Sequence, residues 1–351
     1  METGLPRAPL EALVLAALGA SVDAVEPMPG GASTRRYFRV RAGAATAIAM
    51  HAPDGARPEE ITAGASATRW PFLEVRDLLA GAGVRVPALL GDRSDVGLLL
   101  LEDLGDVTLA EALRREPARR ATLYRRAVRD LAAMHRSLAD LTGSVVATRA
   151  FDEPLLRWEL AHFVEWGLDA RGVVLRPAAR RALDDAFDTL ARELAERPRG
   201  FVHRDYQSRN LMLDPRGVAA GDADALVVID FQDALLGPRA YDLVALMRDS
   251  YQDLDEPFVA TMVDAYAEAA AMPADAVPDF RDEFDRLTVQ RKLKDAGRFV
   301  FIEQKKGDPS FLPYYAPSLA RVRAALGRLG DRAPFAAMRA VLAEALPDHF
   351  G

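Results

Sequence analysis

The chain has 351 residues, half of them hydrophobic, a formal net charge of −7 and no cysteine. This length suits one large domain or two ordinary ones with a sizeable core. The acidic balance gives no overall attraction to nucleic acid or anionic membranes, and the lack of cysteine excludes disulfides, thiolate metal sites and a cysteine nucleophile. We therefore expect chemistry carried by carboxylates, histidines and hydroxyls, and no nucleic-acid partner.

The first apolar stretch, residues 10–20, is interrupted by Glu11 and is preceded by a single arginine, Arg7. Its apolar residues follow the spacing of an amphipathic helix, which favours docking on a core over a signal peptide. No other stretch approaches the ~18 apolar residues of a membrane span. We expect a cytoplasmic protein with no membrane association and no obligate protein partner.

Residues 1–101 are predicted to form a small lobe of mixed helix and strand. The apolar run 97–101 predicts a buried strand, and the polar and glycine residues at 102–106 predict a hinge. Residues 107–351 are predicted to be mainly helical, with two short strands at 211–213 and 226–229. Helical spacing of apolar residues covers 109–113, 120–138, 155–166, 177–195, 241–251 and 258–271. The fold class is therefore α+β, with a small β-rich N-terminal lobe and a large helical C-terminal one.

Residues 203–210 contain the pattern H-R-D-x-x-x-x-N, and Asp230 follows Asn210 by twenty residues, at the end of a predicted strand. These are the catalytic and metal-binding loops of kinases. Phosphoryl transfer needs a carboxylate beside the acceptor hydroxyl and oxygen ligands that hold Mg²⁺ against the ATP phosphates. Asp205 fits the first role, and Asn210 with Asp230 fits the second.

The alternative is that these are ordinary polar residues of loops, where Asp and Asn are common. Asn210 is the single asparagine of the chain, which makes its presence at the required offset more informative. We expect His203 and Arg204 to be structural groups that hold the loop backbone. His135 is predicted to be a helix histidine with its hydrogen bonds satisfied, and not a ligand.

These motifs resemble the aminoglycoside phosphotransferase-like family, and the segment 237–243 matches the one that follows its metal-binding aspartate. The resemblance implies a bilobal protein-kinase-like fold, ATP and Mg²⁺ as cofactors, and Asp242 as a residue that steadies the catalytic loop. Within the family, the sequence motifs are similar to those of bacterial anomeric N-acetylmuramate/N-acetylglucosamine kinases of cell-wall recycling. That narrower resemblance rests on residues 33–38, 229–234, 241–243, 248–251 and 293–299.

The resemblance also implies where the nucleotide binds. The backbone around Glu102 and Leu104 would hold the adenine, and the loop with Gly30, Gly31 and Ser33 would cover the phosphates. No lysine precedes Lys292, so the small-lobe lysine that usually binds the phosphates is absent. The nearest cations in sequence are Arg35, Arg36 and Arg39, of which Arg35 is the predicted nucleotide-binding residue; arginine binds phosphate with a different reach and shape.

All four lysines of this acidic chain lie in a basic segment, residues 286–306. One interpretation is a solvated helix face, and the other is a surface that pairs with an anionic acceptor. The acceptor-binding candidates are Asp233, Arg291, Lys294 and Arg298. A polycationic aminoglycoside would require carboxylates instead, so the patch favours an acidic or neutral sugar.

The resulting hypothesis is that Asp205 orients and deprotonates the anomeric hydroxyl of an amino sugar as that hydroxyl attacks the γ-phosphate of Mg-ATP. One alternative keeps the fold and changes the acceptor to an aminoglycoside, choline, homoserine or another small alcohol. A second alternative is a nucleotide-binding pseudokinase that acts through partners. It is motivated by the missing lysine and opposed by the intact Asp205, Asn210 and Asp230.

Overall fold

A computed structural model describes residues 4–29, 35–52 and 69–350 of the chain. Within these ranges the small lobe is an antiparallel sheet with two helices, as predicted. Its elements are α1 (Arg7–Leu18), β1 (Ala24–Pro27), β2 (Arg36–Ala42), β3 (Ala45–His51), α2 (Pro71–Gly81), β4 (Leu89–Arg93) and β5 (Leu98–Glu102).

The strands are arranged in the order β1-β2-β3-β5-β4. Side chains alternate between the two faces of a strand. One face therefore packs against Leu10 and Val14 of α1 in a core of its own. The other face presents Met50, Leu99 and Leu101 to α2 and to the core of the large lobe. Because both faces are covered, all of β5 is buried, which confirms the predicted buried strand.

The large lobe is mainly helical. The six helices predicted for it are present, with ends within four residues of the predicted positions, while its other helices had no predicted bounds. In chain order its elements are α3 (Leu109–Arg115), α4 (Arg120–Ser137), α5 (Glu153–His162), α6 (Pro177–Ala195), β6 (Arg199–Val202), β7 (Leu211–Leu213), α7 (Pro215–Ala219), β8 (Leu226–Val228), β9 (Leu235–Pro238), α8 (Ala240–Met247), α9 (Glu256–Ala269), α10 (Val277–Lys306), α11 (Tyr315–Leu329), α12 (Phe335–Ala345) and α13 (Pro347–Phe350). The α+β bilobal prediction is confirmed.

The helix predicted over 241–251 ends earlier than expected, at Met247. The reason lies in Asp249, whose carboxylate accepts hydrogen bonds from the backbone N–H of Ser208, at 2.9 Å, and from the backbone N–H of Tyr251, at 2.9 Å. This aspartate caps a turn and reaches into the loop 203–210. A continued helix would point its side chain elsewhere.

Two short antiparallel ladders position the two predicted loops. β6 pairs with β9, and β7 pairs with β8. The first loop, 203–210, joins β6 to β7, while the second, 229–234, joins β8 to β9. The backbone N–H of Ile229 donates to the carbonyl of Asn210, at 3.1 Å, so the two loops lie side by side.

The lobes meet through apolar and ionic contacts. The ring of Phe231, directly after Asp230, packs against Phe72 of α2 with centroids 5.0 Å apart. The carboxylate of Glu102 accepts hydrogen bonds from Arg85, and Arg85 also binds Asp214 of the large lobe. None of the helices in the described ranges is both long enough and apolar enough for a membrane span.

Candidate active site

The backbone of the loop 203–210 is held by a fully buried carboxylate, that of Asp242 in α8. Its oxygens accept hydrogen bonds from the backbone N–H groups of His203, at 2.7 Å, and Arg204, at 3.0 Å. The His203 ring bonds the carbonyl of Ile229 through Nε2, at 3.0 Å. Asp242 and His203 thus bond the backbone of the two loops, and Arg204 is itself held through its backbone N–H; the roles expected for the three residues stay predictions.

Two non-glycine residues at the site have left-handed backbone conformations, Arg204 with φ 81° and Asp230 with φ 63°. Such conformations cost of order 1–3 kcal/mol each and persist only where the surroundings impose them. They lie immediately before Asp205 and at the metal-binding candidate. Strained backbone is therefore concentrated on the residues that the sequence motif singled out.

Asp205 presents a carboxylate that is 41 % exposed, with Oδ1 bonded to Nη2 of Arg291 at 3.0 Å. In the described part of the chain, Oδ2 receives no hydrogen bond. Burial alone would raise the pKa of Asp205, but the cations Arg291, Lys294 and Arg204 lower it to about 2. The carboxylate is therefore ionised at neutral pH and has one oxygen available to a hydroxyl.

Asn210 and Asp230 lie on the adjacent loops. The amide of Asn210 donates from Nδ2 to the backbone carbonyl of Asp205, at 2.9 Å, which leaves its oxygen as an acceptor. Burial, and next the charge of Asp205, raise the pKa of Asp230. A bound divalent cation would relieve that repulsion, and one or two carboxylates with an amide oxygen suit Mg²⁺. Among the described residues, no three acidic, histidine or cysteine side chains cluster at metal-binding distance.

Asp233 lies beside Asp230, the metal-binding candidate. Nε2 of Gln232 bridges the carboxylates of Asp230, at 3.0 Å, and Asp233, at 2.9 Å. The guanidinium of Arg35 approaches the same two carboxylates, at 3.7 and 3.9 Å. The small lobe therefore contributes a cation at the place where the nucleotide phosphates and the metal are expected.

The three arginines near the missing lysine have different surroundings. Arg39 binds Asp103 and Asp106 of the hinge, at 2.8 Å each. Arg36 lies beside Nδ1 of His51, at 3.4 Å. Arg35 is the arginine of the three that faces the metal candidate.

The nucleotide-binding candidates are distributed unevenly. Gly30, Gly31 and Ser33 lie outside the described residues. The side chain of Glu102 is turned toward Arg85, Arg216 and the backbone N–H of Ala88, so its carboxylate is occupied by contacts within the protein. Leu104 packs with Met212, Val227 and Ile229 in a small apolar cluster below the linker. Such a cluster can support a flat aromatic base.

The basic segment forms the long helix α10, and its cations are not equivalent. Arg291 and Lys292 are buried and bonded within the protein, which rules out a solvated face at these positions. Lys294, 17 % exposed, lies 3.6 Å from Asp295, and its charge acts on Asp205. The Arg298 guanidinium covers the ring of Phe301, at 4.8 Å. The positive charge of Lys294 thus helps, after that of Arg291, to lower the pKa of Asp205, whereas the contact found for Arg298 is with Phe301.

Sequence reasoning missed three contributors. Asp249 bonds both the backbone N–H and the hydroxyl of Ser208, and Tyr251 lies under the guanidinium of Arg209, at 3.5 Å. Both belong to the segment 248–251, which was predicted as the end of a helix and used for the family resemblance, with no role at the site. Arg85 had no signal at all, because its role depends on the meeting of two lobes.

Comparison with known proteins decides the family. A family model described as "Phosphotransferase enzyme family" matches residues 24–284. The chain belongs to this phosphotransferase family. It is accordingly an ATP-dependent kinase of small molecules.

Curated relatives match over most of the chain. The "N-acetylmuramate/N-acetylglucosamine kinase" of Pseudomonas aeruginosa is 36 % identical over 317 residues, 87 % of this chain and 86 % of the relative. The protein of the same name from Neisseria meningitidis serogroup B is 32 % identical over 315 residues, 88 % and 87 %. Among solved structures, choline kinase LicA from Streptococcus pneumoniae superposes with a TM-score of 0.58 at 15 % identity, over 91 % of this chain and 99 % of that one. AMP-bound spectinomycin phosphotransferase APH(9)-Ia gives 0.57 at 11 %, over 88 % and 93 %. The structural likenesses establish the shared fold.

Proposed function

We propose that this kinase phosphorylates the anomeric hydroxyl of an amino sugar, N-acetylmuramate or N-acetylglucosamine, and releases the sugar 1-phosphate for peptidoglycan recycling. The names of the two relatives support the amino sugar. The observation that carries the proposal is the catalytic carboxylate of Asp205, which has one oxygen available and lies within the field of Lys294. This arrangement favours a neutral or anionic acceptor over a polycation.

In the proposed reaction, Asp205 accepts a hydrogen bond from the anomeric hydroxyl and aligns it with the γ-phosphorus of ATP. The oxygen–phosphorus bond forms as the bond to the leaving ADP oxygen breaks, and the hydroxyl proton passes to the carboxylate. A carboxylate with a pKa of about 2 is a weak base, so its main contribution is orientation, with proton transfer late in the step. Positioning of this kind suits a loose transition state that needs little covalent help.

We propose that Asn210 and Asp230 hold Mg²⁺, which when bound neutralises charge on the phosphates. Arg35 would bind the phosphates in place of the missing lysine, and the loop of Gly30, Gly31 and Ser33 would cover them. The adenine would lie at the linker near Glu102 and above Leu104. Residues 102–106 would act as the hinge between lobes 1–101 and 107–351.

For the acceptor we propose Lys294 as the cation that meets a substrate carboxylate. It is the partly exposed member of the basic helix whose charge reaches Asp205. The lactyl carboxylate of N-acetylmuramate supplies a partner that N-acetylglucosamine lacks. Asp233, placed beside Asp230, would act near the phosphates, and Arg298 is proposed to have at most an outer contact with the acceptor.

The test is Mg-ATP-dependent transfer to N-acetylmuramate, N-acetylglucosamine, kanamycin and choline, followed by ³¹P NMR of the product. We expect the wild type to form a sugar 1-phosphate and Asp205→Asn to form it about 10²–10⁴-fold more slowly, with Asp185→Asn, an exposed carboxylate on α6, as the matched control. Transfer to kanamycin or choline alone would replace the proposed substrate. Nucleotide binding without any transfer would favour the pseudokinase.

Lys294→Met tests the acceptor contact separately. We expect KM for N-acetylmuramate to rise about tenfold, as for loss of one charged hydrogen bond, while KM for N-acetylglucosamine changes little. An equal rise for both sugars would show that Lys294 does not meet the carboxylate.

A further inference from the structure

Arg291 contacts the catalytic loop at two points. From α10 its guanidinium donates through Nη2 to Oδ1 of Asp205, at 3.0 Å, and through Nη1 to the backbone carbonyl of Arg204, at 2.7 Å. The side chain is 5 % exposed. One planar group thus fixes both the catalytic carboxylate and the peptide in front of it, which a lysine could not do with the same geometry.

The peptide that Arg291 holds is the strained one. Arg204 has φ 81°, and its N–H is already bonded to Asp242. With Arg291 on the carbonyl, the residue is held on both sides. Since a left-handed conformation persists only where the surroundings impose it, loss of either contact lets the backbone relax toward a commoner conformation. Asp205, the next residue, would move with it.

Arg291 is itself held in place by α8. Its guanidinium lies over the ring of Tyr241, with Cζ 5.1 Å from the centroid. Tyr241 is fully buried, and its ring packs on Phe151 at 4.4 Å. The neighbouring Asp242 holds the loop from the other side. Two consecutive residues of α8 therefore support the catalytic loop, one directly and the other through Arg291.

We infer that Arg291 is a positioning residue, which fixes Oδ1 of Asp205 and the Arg204 peptide so that Oδ2 alone faces the acceptor hydroxyl. The inference rests on the proposed role of Asp205. It replaces the sequence-based assignment of Arg291 to acceptor binding. Two residues of α10 then have different roles. Arg291 acts through Asp205, while Lys294, one turn later and partly exposed, is the proposed contact to the acceptor.

Single variants give the first test. Arg291→Met should lower kcat about 10²-fold, the cost of a misplaced reacting group, while KM for the sugar and for ATP stays within about twofold. Arg291→Lys should recover part of kcat, because lysine can supply one of the two contacts. Arg286→Met is the matched control: this arginine lies on the same helix, where it binds Glu193 and Asp282 and covers Phe335. The control should lose thermal stability and keep kcat.

The decisive test is the double variant Asp205→Asn with Arg291→Met. If Arg291 acts through Asp205, the double variant should turn over no more slowly than Asp205→Asn alone. Multiplication of the two losses would overturn the inference, as would a rise in sugar KM without a fall in kcat. The ratio of each variant's kcat to that of the wild type can be measured with any acceptor that the wild type phosphorylates, or on slow hydrolysis of Mg-ATP. Failure of the amino-sugar proposal can therefore be told apart from failure of this inference, because in the first case the wild type would be inactive on both sugars.

Discussion

The two halves of the site are built differently. On the large-lobe side, Asp242 and Asp249 bind backbone N–H groups of the catalytic loop within one lobe. On the small-lobe side, Arg39 and Arg85 make ion pairs with carboxylates of the hinge and of the opposite lobe.

Backbone hydrogen bonds to buried carboxylates hold one geometry, whereas partly exposed ion pairs are individually weak and can be exchanged. The loop that carries the candidate catalytic residues is therefore pre-organised, whereas the proposed nucleotide-binding side is connected through weaker ion pairs. Each prediction below tests one side of this contrast.

The largest effect is expected for Asp205→Asn, on the pre-organised side. Loss of the carboxylate should lower kcat by about 10²–10⁴-fold, while the Kd of Mg-ADP, measured by calorimetry, should be unchanged. Normal turnover would remove Asp205 from the mechanism. Weakened ADP binding would show that the two halves do not act separately.

Asp242→Ala should be the most destabilising change at the site. It leaves the buried N–H groups of His203 and Arg204 without acceptors, at about 1–3 kcal/mol for each donor. Urea unfolding should show the loss, and Asp242→Asn, which keeps one acceptor, should fall between it and wild type. A stability equal to wild type would mean that the loop holds its strained backbone by other contacts.

Arg35→Met tests the small-lobe side. If Arg35 replaces the missing lysine, Mg-ATP should bind about tenfold more weakly, near 1.4 kcal/mol. Arg36→Met, the neighbouring arginine beside His51, is the control and should bind nucleotide almost normally. Equal losses would indicate a general effect of charge.

Much of this arrangement was predictable from the sequence. Asp205, Asn210 and Asp230 follow a fixed spacing and lie in loops that flank short strands, so the pattern alone predicts that these two loops are neighbours. The buried strand ending at Glu102 was visible as an apolar run. These features depend on neighbours in the chain.

The roles within α10 were not predictable, because they depend on contacts between residues far apart in sequence. Arg291 and Lys294 look alike in a basic segment, yet one is 5 % exposed against Asp205 and the other is 17 % exposed beside Asp295. The position of Glu102 at the end of the buried strand was predicted, but the ion pairs of its carboxylate were not, because Arg85 and Arg216 are distant from it in the sequence.

The smallest effect is expected at this hinge, for Glu102→Gln, on the order of 1 kcal/mol at neutral pH. Burial acts to raise the pKa of Glu102, but hydrogen bonds from Arg85 and the Ala88 N–H lower it below its usual 4.5 overall. The unfolded chain then binds the proton more readily than the folded one, so this contribution is complete above pH 4.5 and is lost as pH falls through the lower folded value.

The difference in unfolding free energy between wild type and Glu102→Gln should consequently be largest near pH 7 and shrink on acidification. Urea titrations at pH 7 and at acidic pH measure this difference. The pH dependence of the carboxylates that both proteins share cancels in it. A difference independent of pH would mean that the Glu102 charge does not contribute to the hinge. In that case the ionic connection between the lobes at this place would depend on the Arg85–Asp214 pair and not on the Arg216–Glu102 pair.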